Sequence, residues 1–90
     1  MADMFSREAV DACLADVFTR YRQGSVPVHP ASVITADLGV DSLAVMEIVA
    51  ELEDTFDLTF PDEDLPNIKT VEDVSNLIVR CLGEAGRLAP

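Results

Sequence analysis

Ser42 is the side chain whose type and setting best suit chemistry. It lies in Asp37-Leu38-Gly39-Val40-Asp41-Ser42-Leu43. Gly39 breaks any preceding structure, and Asp41 is a good N-cap. From Ser42 no Gly or Pro occurs until Pro61, and most residues to Phe56 tolerate a helix. Ser42 is therefore expected in a first helical turn, its hydroxyl beside N–H groups that lack helical partners. Those donors and the helix dipole favour a phosphate, by about 0.3–1 kcal/mol at an exposed end. The same residues also fit a plain helix cap in which Ser42 only assists Asp41.

Other candidates are weaker. His29, between Val28 and Pro30, is the only histidine and reads as a solvated loop residue. Gly-x-Ser-x-Gly is absent, and ninety residues cannot build an α/β-hydrolase around Ser42. Cys13 and Cys81 are far apart and fit reduced helix residues better than a disulfide or a metal site. A calcium loop starting at Asp37 would need Gly and Glu where Ser42 and Ile48 stand. Asp62-Glu63-Asp64 leaves room only for weak divalent binding. No metal and no catalytic residue is expected.

Composition narrows the class. The chain has 90 residues, 49% of them hydrophobic, enough for one domain with one modest core. A formal charge of −11 argues against nucleic acid and favours partners with basic patches. No apolar run approaches the length of a membrane helix, and the start of the chain lacks signal-peptide character. A cytoplasmic monomer is the expectation.

Periodicity supplies the elements that position Ser42. Ser6 caps a first helix from Arg7 to about Gln23, with Val10, Leu14, Val17, Phe18 and Tyr21 inward and Gly24 ending it. Residues 25–40 form a long loop in which Pro27 and Pro30 forbid a helix. Its apolar Val26, Val28, Val33, Ile34, Leu38 and Val40 must pack on the bundle. The second helix runs from Ser42 to about Phe56. At about 100° per residue, Val45, Ile48, Val49, Leu52 and Phe56 face the core. Glu47, Glu51 and Asp54 face solvent, with Leu43, Met46 and Ala50 on the flank. That arrangement fits a docking face, and equally a solvated back whose apolar flank is partly covered.

Pro61 and the acids after it suit a third helix, limited by Pro66 to about one turn. Thr70-Val71-Glu72-Asp73 resembles a capping box and opens a last helix to about Leu82, ended by Gly83 and Gly86. The fold class is all-α: three principal helices and one short one, with a long loop after the first. The core spans about 6–82, residues 1–5 and 83–90 form loose termini, and the second and last helices are neighbours.

The ordered set of Asp37, Leu38, Gly39, Asp41, Ser42 and Leu43, then Glu47, Phe56, Pro61, Asp62 and Thr70-Val71, resembles the acyl carrier proteins. The likeness runs from about Val33 to Leu82. It implies a covalent 4′-phosphopantetheine arm on Ser42, derived from coenzyme A and installed by a phosphopantetheinyl transferase. It implies acyl intermediates held as thioesters for enzymes of fatty acid, polyketide or specialised lipid biosynthesis. The family presents its second helix to basic patches on those enzymes, which makes Asp41, Leu43, Met46, Glu47, Glu51 and Asp54 the recognition face. Acyl chains can fold back beneath that helix, which by position points to Val49, Leu52, Phe60, Leu65, Ile68 and Val74. Bulky Phe60 and Leu65 imply a smaller pocket than a carrier of long saturated chains needs. Ala44, where fatty-acid-synthesis carriers often have an acid, and Pro66 depart from the pattern. An unmodified acidic adaptor, or an aminoacyl or peptidyl carrier of nonribosomal synthesis, are the alternatives.

Overall fold

Three α-helices carry the architecture of the computed structural model, which describes residues 4–90. Helix α1 spans Arg7–Tyr21, α2 Ser42–Phe56 and α3 Val71–Glu84. A 3-10 helix, Asp62–Asn67, lies between α2 and α3. The described residues contain no strand, only isolated bridges between Phe5 and Leu88 and between Val33 and Thr70. No helix among them is long and apolar enough to cross a membrane.

The helix faces follow the apolar spacing. Val10, Leu14, Val17 and Phe18 of α1 are buried, as are Ile48, Val49, Leu52 and Phe56 of α2. Val71, Val74, Leu77, Ile78 and Leu82 of α3 complete the same cluster. Tyr21 and Val45 sit half-buried at its margin. The backbones of α1 and α3 approach each other most closely, and α2 shares the same core cluster with both. Polar ties reinforce the pairing of α1 with α3: the Ser75 hydroxyl donates to Asp11 Oδ1 at 2.5 Å, and Arg7 donates to Asn76 Oδ1 at 2.6 Å.

The long loop packs as expected through Ile34, Leu38 and Val40, all buried, but Val26 is exposed. Asp37 organises it. Its carboxylate accepts the Val33 N–H at 2.7 Å, and its own N–H donates to the Val33 carbonyl at 2.7 Å. Gly39 then turns the chain into α2 with φ of 67°, a region costly for residues with a Cβ. A Cβ there would also lie 2.6 Å from Gln23 Cγ.

Helix ends depart from expectation at three places. Helix α1 stops at Tyr21, before Gln23. Arg22 is extended there, and the Gln23 N–H donates to the Leu38 carbonyl of the loop. Helix α3 runs through Gly83 to Glu84, because Gly83 stays helical and the left-handed stop is Gly86. Pro66 lies inside the 3-10 helix rather than ending it.

Among the described residues of the two chain ends, Phe5 pairs with the segment after α3. Phe5 N–H donates to the Arg87 carbonyl, and the Ala89 N–H donates back to the Phe5 carbonyl, both within 2.9 Å. The Phe5 ring meets Phe56 edge-on at 4.8 Å, and Arg87 reaches the Asp57 carbonyl. The half-buried Phe5 thus joins the segments before α1 and after α3 to the end of α2. The expectation for residues 1–3 lies outside the described residues.

Candidate functional site

The start of α2 is built from backbone outward. Asp41 is extended, with φ of −78° and ψ of 172°, and its Oδ1 accepts the Ala44 N–H at 2.8 Å. Its carbonyl accepts the Val45 N–H at 2.9 Å. The capping role thus belongs to Asp41, and Ser42 is not needed for it. Ser42, the first helical residue, is exposed. Among the described residues no group accepts the N–H of Ser42 or of Leu43, and none bonds the Ser42 hydroxyl. The first turn of α2 also carries no acidic side chain. An exposed hydroxyl beside two open donors, at the positive end of a helix, fits a phosphodiester.

The outer face of α2 lies next to that hydroxyl. Leu43 is 70% exposed and Met46 53%, unusual values for large apolar side chains. Glu47 and Asp54 are exposed beside them. Glu51 departs from the expected solvated acid. It points toward α1, where the Arg20 guanidinium bonds its carboxylate. Arg20 also approaches Asp16 Oδ2 at 3.5 Å, and these carboxylates raise its pKa, the hydrogen bond to Glu51 foremost. The reason is angular: on the helical wheel Glu51 falls about 40° beyond Glu47, toward the α1 side.

Glu53 has a role that side-chain spacing did not reveal. Its Oε2 accepts the Phe60 N–H at 2.8 Å, which fastens the segment after α2 back onto the helix. The Leu58 N–H reaches the Glu53 carbonyl, and Asp57 takes a left-handed φ of 51° to close α2.

The six side chains named for an acyl pocket divide into two groups. Val49, Leu52, Phe60 and Val74 are buried in the packed core. Leu65 and Ile68 are half-buried at its edge. A groove of about 250 Å³ opens between the 3-10 helix and α3, lined by Asp64, Asn67, Ile68, Asp73, Asn76, Leu77 and Arg80. Of the six, only Ile68 borders it. Arg80 clasps Asp64 across this groove. A second groove, of about 390 Å³, lies between α1, the loop at Val28-His29-Pro30 and the start of α3. His29 is exposed on its rim.

The two thiols lie outside the site. Burial, foremost, raises the pKa of both Cys13 and Cys81, which favours the unreactive thiol. Among the described residues no cluster of three His, Cys, Asp or Glu side chains is arranged to hold a metal ion.

Comparison with known proteins gives this geometry a family. The profile of the phosphopantetheine attachment site matches residues 8–78. An acyl carrier protein of Myxococcus xanthus is 37% identical over 76 residues, covering 83% of this chain and 96% of its own. One from Kocuria rhizophila is 52% identical over 44 residues, and the match spans 49% of this chain and only 54% of that protein. A probable acyl carrier protein of Caulobacter vibrioides is 50% identical over 54 residues, spanning 60% of this chain and 63% of its own length. In structure, the acyl carrier protein of Enterococcus faecalis superimposes with a TM-score of 0.73 at 35% identity, covering 86% of this chain and 99% of that one. The helical bundle, the open start of α2 and these relatives agree: the chain belongs to the acyl carrier protein family, whose prosthetic group is 4′-phosphopantetheine.

Proposed function

We propose that Ser42 bears the 4′-phosphopantetheine arm through a phosphodiester and that the chain carries acyl groups between enzymes without catalysing a reaction itself. When bound, the arm supplies a thiol on a flexible tether that holds an acyl group as a thioester. The observation that carries the reading is the unsealed start of α2. Ser42 offers an exposed hydroxyl, Asp41 has taken over the cap, and the N–H groups of Ser42 and Leu43 remain open.

The chain's remaining tasks are recognition and delivery. A phosphopantetheinyl transferase reads the start of α2 to load Ser42, and acyl-processing enzymes with basic patches read the same helix afterwards. Asp41, Leu43, Met46, Glu47 and Asp54 form that face: the acids steer encounter, and the exposed apolar pair gives short-range affinity. Fatty acid, polyketide or specialised lipid biosynthesis would supply such partners. The close packing of Val49, Leu52, Phe60 and Val74 favours little sequestration of the acyl chain, with Leu65 and Ile68 the side chains best placed to yield.

Intact-protein mass spectrometry after incubation with coenzyme A and a broad-specificity phosphopantetheinyl transferase tests the reading. A gain of one phosphopantetheine, lost in Ser42→Ala, is expected. No gain with a transferase that loads a control carrier would favour an unmodified adaptor instead.

A further inference from the structure

The acidic face of α2 is not uniformly available. Four acids lie along the helix: Glu47, Glu51, Glu53 and Asp54. Two are already used within the molecule. Glu51 is bonded to Arg20 of α1, and Glu53 accepts the Phe60 N–H. Glu47 and Asp54 are exposed, and among the described residues neither side chain is held by an ion pair or a hydrogen bond. Seven residues separate them. At 1.5 Å per residue they stand about 10 Å apart on one line of the helix. Leu43, one turn before Glu47, and Met46 beside it are the exposed apolar groups at the Ser42 end.

Resting on the carrier reading, we infer that Arg20 masks Glu51 from partners. Docking then falls to a narrower pattern: an apolar contact at Leu43 and Met46, followed by Glu47 and Asp54. The matching partner is an enzyme surface with an apolar socket beside the serine and two cationic side chains spaced to meet those two carboxylates. Arg20 is the specificity-determining residue outside the contact. Its charge neutralises Glu51 and stands at the edge of the face, where it repels a third cation. Removing it returns Glu51 to the acidic face and widens the set of basic surfaces that the chain accepts.

Loading kinetics with coenzyme A and a broad-specificity phosphopantetheinyl transferase, across a range of salt concentrations, test this on the full chain. Glu47→Gln and Asp54→Asn are expected to lower kcat/KM at low salt by about threefold or more each and to flatten its salt dependence. Glu51→Gln is expected to change it by less than about twofold. Arg20→Met and Arg20→Gln should each raise it by about threefold at low salt, and adding Glu51→Gln should cancel that gain. Arg7→Met, an equal change of net charge on the far part of α1, controls for general attraction and should leave the rate near that of the wild type. A loss in Glu51→Gln as large as in Glu47→Gln overturns the inference, as does a gain in the Arg20 variants no greater than in Arg7→Met. Both of those results leave the carrier reading intact if the wild type is still loaded at Ser42. Failure of the wild type to load removes that reading and this inference with it.

Discussion

Helices α2 and α3 begin alike. Each has an extended N-cap residue whose side-chain oxygen accepts the N–H three residues on, Asp41 from Ala44 and Thr70 from Asp73. From there they diverge. At α3 the Asp73 carboxylate returns to the N–H groups of Thr70 and Lys69, closing a capping box. The loop then takes the next donors: Val71 N–H bonds the Ser32 carbonyl at 3.1 Å and Glu72 N–H the Pro30 carbonyl at 2.8 Å. Glu72 and Asp73 supply negative charge to its dipole. At α2 Ala44 stands where α3 has Asp73, no loop covers the first N–H groups, and no acid enters the first turn. One end is sealed by the protein and locks the loop. The other keeps its first two N–H groups open, where the proposed reading places the phosphate of the arm. The difference separates an element whose donors are spent on stability from one whose donors stay available, as the proposed attachment at Ser42 requires.

The sharpest break of that comparison is Ser42→Ala. It should abolish loading outright while shifting unfolding free energy by less than about 0.5 kcal/mol, because Asp41 holds the cap. Mass spectrometry and urea unfolding read the two effects on one sample. Gly39→Ala should act the other way round. The positive φ that turns the loop into α2 makes a Cβ costly by about 1–2 kcal/mol, read as a lower urea midpoint. Thr70→Ala unseals α3 and should cost about 1 kcal/mol, with loading unchanged.

The smallest expected effect concerns acid. Backbone N–H groups of Thr70 and Lys69 hold the Asp73 carboxyl below its ordinary pKa of 3.8. The unfolded chain therefore takes up that proton before the folded one does. The stabilisation is present above about pH 4 and is lost as pH falls through the lower folded-state value. The stability gap between wild type and Asp73→Asn should accordingly narrow below about pH 4 in thermal unfolding. A gap constant with pH would mean that the carboxylate charge contributes nothing to the seal.

What was legible in the sequence follows the same division. The bounds of α2 could be read because cap, apolar spacing and the absence of Gly and Pro all act locally. The capping box at Thr70 was legible for that reason too. Long-range contacts were not. The Arg20 pair with Glu51 joins residues 31 apart, and no periodicity marks it. The clasp of Phe5 with Arg87, Leu88 and Ala89 depends on where Phe56 ends up in the folded chain. Gly83 and Gly86 both permit a left-handed turn without requiring one, and of the two only Gly86 takes it. For the site, the exposure of Glu47 and Asp54 followed from the helical wheel, whereas the wheel left Leu43 and Met46 open between exposed and partly covered, and Ser42 stood out by its place after the Asp41 cap and by the family resemblance. The engagement of Glu51 and Glu53 depended on neighbours that the wheel does not contain.

The claim that α2 is open to a phosphate while α3 is sealed can be tested at single amides. Proton–nitrogen correlation spectra of the chain before and after enzymatic loading would report each N–H directly. The account predicts the largest shifts at Ser42 and Leu43, with Val71 and Glu72 unmoved. Loading that leaves the Ser42 and Leu43 amides in place, or moves the first turn of α3 as much, would contradict it.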